Sequence, residues 1–465
     1  MEMQVMQQQG NNLGSGNGSA LTAAYMENKL EQAMSDFPAA GDGEAAVIYR
    51  VPEHLRASNT EAYTPKLVSI GPYHHGSPDL RPAWEAIKCA VVRDLCNLTG
   101  VTIAQLVEKL EQELEKDQVQ EPRKYYREKI DIVGDEALLA QLLIDGCFLF
   151  NYLGGLNTKP SEGKQETAQH VYSVDSGIQH DIFLLENQVP FSVLKAIGSA
   201  VSAAHPNSYA DNHVSEVACG FVKKGVFQYI PTAEERPKKF EHLVDLCYQY
   251  LYPTRHHHEI PIAAQDVSDQ PEVRRLRRAV EFRETGIRFK QRTGSQDERP
   301  ISLLGITFSR GVLQIPKLVV DERTEHLLRN IVAYEQESFD SHDSYVTAYV
   351  LFMSQLMSKA EDVTLLSEKD ILVHQLGRDE EVSEMFRKMT KGVVLDFNGE
   401  YHLKDVTVAL EKHYRDRRNR WMALLRHTYF SNPWLMLGAV VAMVAFALSV
   451  SQAALSFLHF ARNPK

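Results

Sequence analysis

The sequence contains few cysteines, and none of them forms a CxxC pair. Its 465 residues include five: Cys89, Cys96, Cys147, Cys219 and Cys247. An odd number without paired spacing argues against a disulfide framework, so we expect reduced thiols in a cytosolic environment. No apolar run lies within residues 1–20, which are rich in Gln, Gly, Asn and Ser, and we therefore expect no secretory signal.

An excess of positive charge is also missing. The formal net charge is −11 at pH 7, which argues against general nucleic-acid binding. No internal repeat of fixed period is present.

Standard catalytic and metal-binding signatures are lacking. The chain contains no GxSxG elbow, no GxxxxGK[ST] loop, no HExxH helix and no GxGxxG after a strand. In the sequence HHHEI at residues 256–260, Glu259 is not followed by the second histidine that an HExxH zinc helix requires. We therefore expect no cofactor, no metal ion and no enzyme of a known class.

The longest uncharged run lies near the end of the chain. Between Trp434 and Phe457 no side chain is ionisable. A helix of this length measures about 36 Å and crosses a hydrocarbon core of about 30 Å with some tilt. This pattern predicts one transmembrane helix within residues 431–458, followed by a short tail at residues 459–465.

The residues flanking this run predict its orientation. Five arginines precede it within twenty residues, at positions 415, 417, 418, 420 and 426. Because basic residues remain on the cytosolic side, residues 46–430 should face the cytosol as a single-pass protein of the plasma membrane or an endomembrane. These arginines are also placed to attract anionic lipid.

Small and polar residues recur along one face of the predicted membrane helix, at spacings of three and four. They are Gly438, Ala442, Ala445, Ser449, Gln452 and Ser456. Such a face allows two membrane helices to approach closely and lets Gln452 hydrogen-bond across the interface, which predicts self-association. The alternative interpretation is that alanine is simply frequent in this helix.

Hydrophobic periodicity predicts a mainly helical body. Residues 1–45 read as a disordered segment, and residues 47–76 read as extended, irregular chain rich in proline. Helical spacing follows, with Thr102 and Gln105 matching a capping box and residues 135–153 forming a buried helix. Short strands around Ser309-Arg310-Gly311 predict a small antiparallel sheet near residues 287–318, so the fold class is α+β.

Six ordered blocks resemble the plant family named Domain of Unknown Function 247, over about residues 49–457. They are VPEHLR (51–56), YTPKLVSIGPYHHG (63–76), DGCFLF (145–150), DIFLLENQVPFSVL (181–194), GVLQIPKLVVDERTEHLLRNIVAYEQ (311–336) and YFSNPWLMLG (429–438). The resemblance implies a plant protein with one C-terminal membrane helix and no agreed biochemical activity. Some members are similar to grass self-incompatibility determinants, which implies recognition or signalling.

Three acids stand inside apolar runs: Asp145, Glu186 and Glu335. A buried carboxylate is costly unless it is paired or hydrogen-bonded, so each should have a fixed partner. The structural interpretation, which we favour, is that they cap helices and cross-link irregular chain. The functional interpretation is a pocket in which raised-pKa carboxylates work with His74 or His75.

Two hypotheses of function follow. The first is a membrane-tethered interaction or signalling module that binds an unknown protein partner, and we expect it not to be an enzyme. The alternative is an enzyme of unrecognised type that uses the buried carboxylates and histidine. An enzyme requires a cavity where the acids and histidine converge, whereas an interaction module requires an exposed patch.

Overall fold

The computed structural model describes residues 47–117, 119, 121–156, 175–206, 212–227, 237, 239–252, 276–293, 302–338, 344–397, 399, 401–416 and 433–462. The predicted disordered segment at residues 1–45, the HHHEI sequence and the arginines at 417–426 lie outside these residues.

Helices form most of the first half of the described chain. They are α1 (Glu53–Arg56), α2 (Ala83–Thr99), α3 (Ile103–Lys116), α4 (Asp135–Tyr152), α5 (Asp175–Ile182), α6 (Phe191–Ala204), α7 (His213–Phe221) and α8 (Leu243–Leu251), with 3-10 turns at Thr60–Tyr63 and Pro122–Tyr125 and a π-turn at Val222–Val226.

Local sequence explains where several of these helices begin. Thr102 and Gln105 form the capping box that starts α3, with the Thr102 hydroxyl accepting from Gln105 N. Pro190 lies immediately before α6, where the missing N–H of proline costs no hydrogen bond of the helix interior. The residues between α5 and α6 are not helical, although they are buried and mostly apolar.

The second half contains α9 (Ala279–Glu284), β1 (Arg288–Arg292), β2 (Thr307–Ser309), β3 (Val312–Pro316), β4 (Leu318–Val320), α10 (Glu322–Glu337), α11 (Tyr345–Leu356), α12 (Ala360–Ser367), β5 (Leu372–His374), α13 (Asp379–Met389), α14 (Lys404–Arg415) and α15 (Pro433–Arg462). The mainly helical α+β class predicted from the sequence is confirmed.

The predicted sheet is only partly antiparallel. β2 and β3 form the expected antiparallel hairpin, but β1 pairs in parallel with β3 and the strand order is β1-β3-β2. A second sheet, in which β4 and β5 pair in parallel, was not predicted. A hairpin has a local turn signal, whereas a parallel pair joins strands that are distant in sequence and carries none.

Helix α4 packs against both α2 and α6. A Cβ atom added at Gly146 would lie 2.6 Å from Val193 Cγ1 of α6. Glycine at this position therefore allows α4 and α6 to approach closely.

The final helix, α15, carries the uncharged run. Every described side chain in residues 441–455 is exposed. Judged by length and hydropathy within the described residues, no single helix could span a membrane; 441–455 is apolar but shorter, and α2 with α3 passes only as a pair bent by 99°.

Candidate functional site

Several backbone N–H groups of the irregular segment 47–73 donate to side chains of distant elements. The Asp181 carboxylate accepts from the backbone N–H groups of Lys66, Leu67 and Val68, at 2.7–2.9 Å. The Asn187 Oδ1 atom accepts from Ile70 N at 2.7 Å. Because residues 66–70 belong to no helix or strand, these side chains satisfy backbone donors that would otherwise lack a partner.

Glu186 is the most heavily contacted acid of this region, and its side chain is almost fully buried. Its Oε1 atom accepts from Val51 N at 2.6 Å and from the guanidinium of Arg56. His74 Nε2 lies 3.2 Å from Oε2, at ion-pair distance but without hydrogen-bond alignment. Burial raises the pKa of Glu186, but His74, Arg56 and the Val51 N–H outweigh it and hold the pKa below its usual range.

Asp145 belongs to a buried ion pair with Lys88. The Lys88 ammonium lies 2.7 Å from Asp145 Oδ1 and 2.6 Å from Glu85 Oε1. Gly71 N donates to Asp145 Oδ2 at 2.9 Å, and the Gln141 amide donates to both oxygens. Burial lowers the pKa of Lys88, but the charge of Asp145 and the hydrogen bonds overcome this and raise it. All the contacts of Asp145 are donors, as an ionised carboxylate requires.

Glu335 holds the start of α11. Its two oxygens accept from the N–H groups of Tyr345, Val346 and Thr347, at 2.7–3.0 Å. These are among the first N–H groups of the helix, which have no partner within it. Burial is the largest effect and raises the pKa of Glu335, while the three backbone N–H bonds oppose it.

The three acids therefore contact three different stretches of backbone: Gly71, Val51 and the start of α11. Of the two histidines singled out in the sequence, His74 lies beside Glu186 and His75 is exposed. Two cavities in the described part of the chain, one lined by His180 and His326 and the other by Leu276 and Phe352, include none of Asp145, Glu186 and Glu335 in their linings.

The small and polar face of α15 makes no described contact with the body. Gly438, Ala442, Ala445 and Gln452 are exposed, and a Cβ atom at Gly438 would meet nothing within 4 Å. The Ser449 hydroxyl donates to Ala445 O, one turn earlier in the same helix, at 2.9 Å. The side chain of Ser456 lies outside the described residues.

A site that sequence reasoning missed lies between α5, the π-turn and the start of α10. There a cavity of about 70 Å³ has His180 and His326 in its walls, with their ring centroids 4.5 Å apart. His180 Nδ1 lies 2.9 Å from Asp181 Oδ1. The adjacent His-Asp pair before the buried LLENQ run was the only signal, and nothing in the sequence indicated His326 as its neighbour.

The chemistry available at this cavity follows from the histidine pair. A ring that donates from Nδ1 to a carboxylate presents Nε2 as a hydrogen-bond acceptor. Among the described residues, no group of three or more His, Cys, Asp or Glu side chains is placed to hold a metal ion.

The chain is similar in sequence to known plant proteins over most of its length. A family described as a plant protein of unknown function, DUF247, matches residues 48–448. A UPF0481 protein of Arabidopsis thaliana is 30% identical over 457 residues, which cover 91% of this chain and 88% of the relative. A putative UPF0481 protein of the same plant is 24% identical, over 89% of this chain and 91% of the relative. No solved structure matches.

Proposed function

We propose that this chain, which belongs to DUF247, a plant family of unknown function, is a membrane-tethered module that binds another protein. A body held at a bilayer meets membrane partners at a raised effective concentration, which benefits an interaction or signalling module more than an enzyme of soluble substrates.

The exposed apolar side chains of α15 are the observation that carries this proposal. Val441, Phe446 and Leu455 are each exposed, within a stretch whose described side chains are all exposed. Soluble monomers seldom present so large an apolar surface. Hydrocarbon is the occupant that fits it, because no ionisable side chain interrupts residues 434–457 and arginines precede them.

Two of the polar side chains within α15 are satisfied inside the helix. The hydroxyls of Ser449 and Ser451 donate to the carbonyls of Ala445 and Ala447, respectively. Their donors are thus satisfied inside the helix without water, as a nonpolar environment requires.

The alternative of an enzyme built on the buried acids receives less support. A carboxylate that exchanges protons near neutral pH needs a raised pKa, whereas the pKa of Glu186, the acid beside His74, is held low. Burial raises the pKa of Asp145 and of Glu335, but both oxygens of each acid are engaged by fixed donors. These contacts favour the structural interpretation of the three acids.

Alkaline carbonate extraction of plant microsomes tests the membrane tether. We expect the full-length chain to stay in the membrane pellet, and Val444→Arg with Val450→Arg to release it, since each arginine costs about 2.5–3.5 kcal/mol near the centre of a membrane helix. The matched control, Val133→Arg with Val394→Arg, changes two exposed valines of the body and should stay in the pellet.

Protease added outside sealed microsomes tests the orientation. The body should be digested, because the arginines before α15 favour a body on the cytosolic face. Extraction of the unaltered chain by carbonate, or protection of its body from protease, would contradict the proposal.

A further inference from the structure

We propose that the cavity between α5 and α10 binds a small uncharged molecule with a mainly apolar body and one O–H or N–H group that donates to His180 Nε2. This site is separate from the membrane tether and from the three buried acids.

The tautomer of His180 is set by Asp181. This carboxylate already accepts from the N–H groups of Lys66, Leu67 and Val68, and His180 Nδ1 lies 2.9 Å from its Oδ1 atom. Because a carboxylate in this setting only accepts, His180 Nδ1 carries the proton. In the uncharged ring, Nε2 is then an acceptor with a fixed direction.

That acceptor has no partner in the described structure. The side chain of His180 is 7% exposed, and Nε2 makes no hydrogen bond. Buried polar atoms are nearly always satisfied, so an orphaned acceptor in a cavity wall indicates a missing donor.

His326, which also lines the cavity, supplies a second unpaired imidazole nitrogen and no charge. His326 Nδ1 is also buried and unpartnered. Burial, followed by the neighbouring His180, lowers the pKa of His326 to about 4, so this ring is neutral at pH 7. An uncharged ligand therefore suits the histidine pair better than an anion does.

The other charged groups of the cavity are already paired. Arg323 donates to Asp321 Oδ2 through Nε at 3.0 Å and NH2 at 2.8 Å, and to Gln179 Oε1 at 3.1 Å. The rest of the lining is mainly apolar, with Phe183, Val226 and Leu327. A cavity of about 70 Å³ holds about five to seven non-hydrogen atoms, at roughly 10–15 Å³ for each water-sized group.

Pyrrole and furan form a matched pair of probes, because both are five-membered rings and only pyrrole has an N–H donor. Saturation-transfer NMR on the full chain in lipid nanodiscs measures their binding. We expect pyrrole to bind at least about threefold more tightly than furan, as one added hydrogen bond implies. His180→Phe should remove this preference.

A blocking variant keeps the test informative if His180→Phe fails to fold. Gly225 borders the cavity, and a Cβ atom there meets nothing within 4 Å, so Gly225→Leu should fold and obstruct the site. Gly220 is equally open but lies outside the cavity lining, so Gly220→Leu is the matched control. Pyrrole binding should be lost in the first variant and retained in the second. Equal binding of the two probes to the unaltered chain, or pyrrole binding that survives Gly225→Leu, would overturn the proposal.

Discussion

At Glu186, a backbone N–H and a guanidinium meet on one carboxylate oxygen while an imidazole approaches the other. Removing one partner of a buried ion pair leaves the other charge uncompensated, and this costs more than the pair itself contributes. The acids inside the apolar runs are therefore sites where conservative substitutions should have large effects on stability.

Glu186→Gln should lower the free energy of unfolding by about 2–3 kcal/mol, because Arg56 loses its charged partner. Urea denaturation followed by circular dichroism measures the change. Glu85→Gln is the control: Glu85 also contacts a cation, but its side chain is 41% exposed. Its loss should cost less than about 1 kcal/mol. An unchanged stability of Glu186→Gln, together with loss of a bound small molecule, would favour the enzyme hypothesis.

Comparison of the unaltered chain with Glu186→Gln also gives a prediction for the pH dependence of stability. The pKa of Glu186 is lowered on folding, so the carboxylate stabilises the protein above its unfolded pKa of about 4.3. That contribution is lost as pH falls through the lower pKa of the folded state. The stability difference between the unaltered chain and Glu186→Gln should therefore be constant near pH 7 and shrink below about pH 4. A difference that grows on acidification would contradict this assignment.

At the scale of elements, local signals located much of the helical structure, whereas pairing between distant strands was not visible. The Thr102 capping box marks a helix start that the structure confirms. Strand β5, at Leu372–His374, is too short for a periodic pattern and pairs with β4, which lies more than fifty residues earlier. Its position depends on tertiary packing, and propensity alone does not predict it.

Glu335→Gln should destabilise the protein by about 2–3 kcal/mol, because an amide N–H₂ would replace an oxygen that accepts from the start of α11. Thermal unfolding with and without the substitution measures the effect. Glu337→Gln is the control: Glu337 lies with Glu335 in α10, and its loss breaks only the partly exposed pair with Arg127, so it should cost less than about 1 kcal/mol. Equal losses in the two variants would argue against the capping role.

The small and polar face of α15 yields a prediction on self-association. Gly438→Leu with Gln452→Leu should weaken it in a membrane two-hybrid assay, because bulk prevents close approach and the interhelical hydrogen bond is lost. Leu437→Ile with Leu448→Ile changes residues outside that face and should leave the signal unchanged. If the first variant also leaves it unchanged, the alanine-rich composition alone accounts for the face.

For the whole molecule, the family and the α+β class were predictable from ordered sequence blocks and periodicity, and both are confirmed. The cavity was not, since His180 and His326 belong to different elements and only the tertiary fold brings their rings together. The three acids could be singled out because a charge within an apolar run is conspicuous. Their individual partners could not be named from sequence, because each is a backbone or side-chain donor set by packing.

Proximity labelling in plant tissue tests the interaction module as a whole. The full chain should label membrane proteins, and Val444→Arg with Val450→Arg should lose most of that labelling, because the effective concentration at the bilayer falls. The Val133→Arg, Val394→Arg control should retain it. Identical labelled proteins for all three chains would mean that partner choice does not depend on α15.

The hydrogen bonds that fix segment 47–73 also limit when this segment can fold during synthesis. Val68 and Ile70 leave the ribosome 113 and 117 residues before Asp181 and Asn187, the side chains that accept from them. At roughly 5–20 residues per second, the delay is about 6–23 seconds. During this interval the nascent segment lacks the side chains that accept its hydrogen bonds, so it can reach its final conformation only after Asn187 has been synthesised.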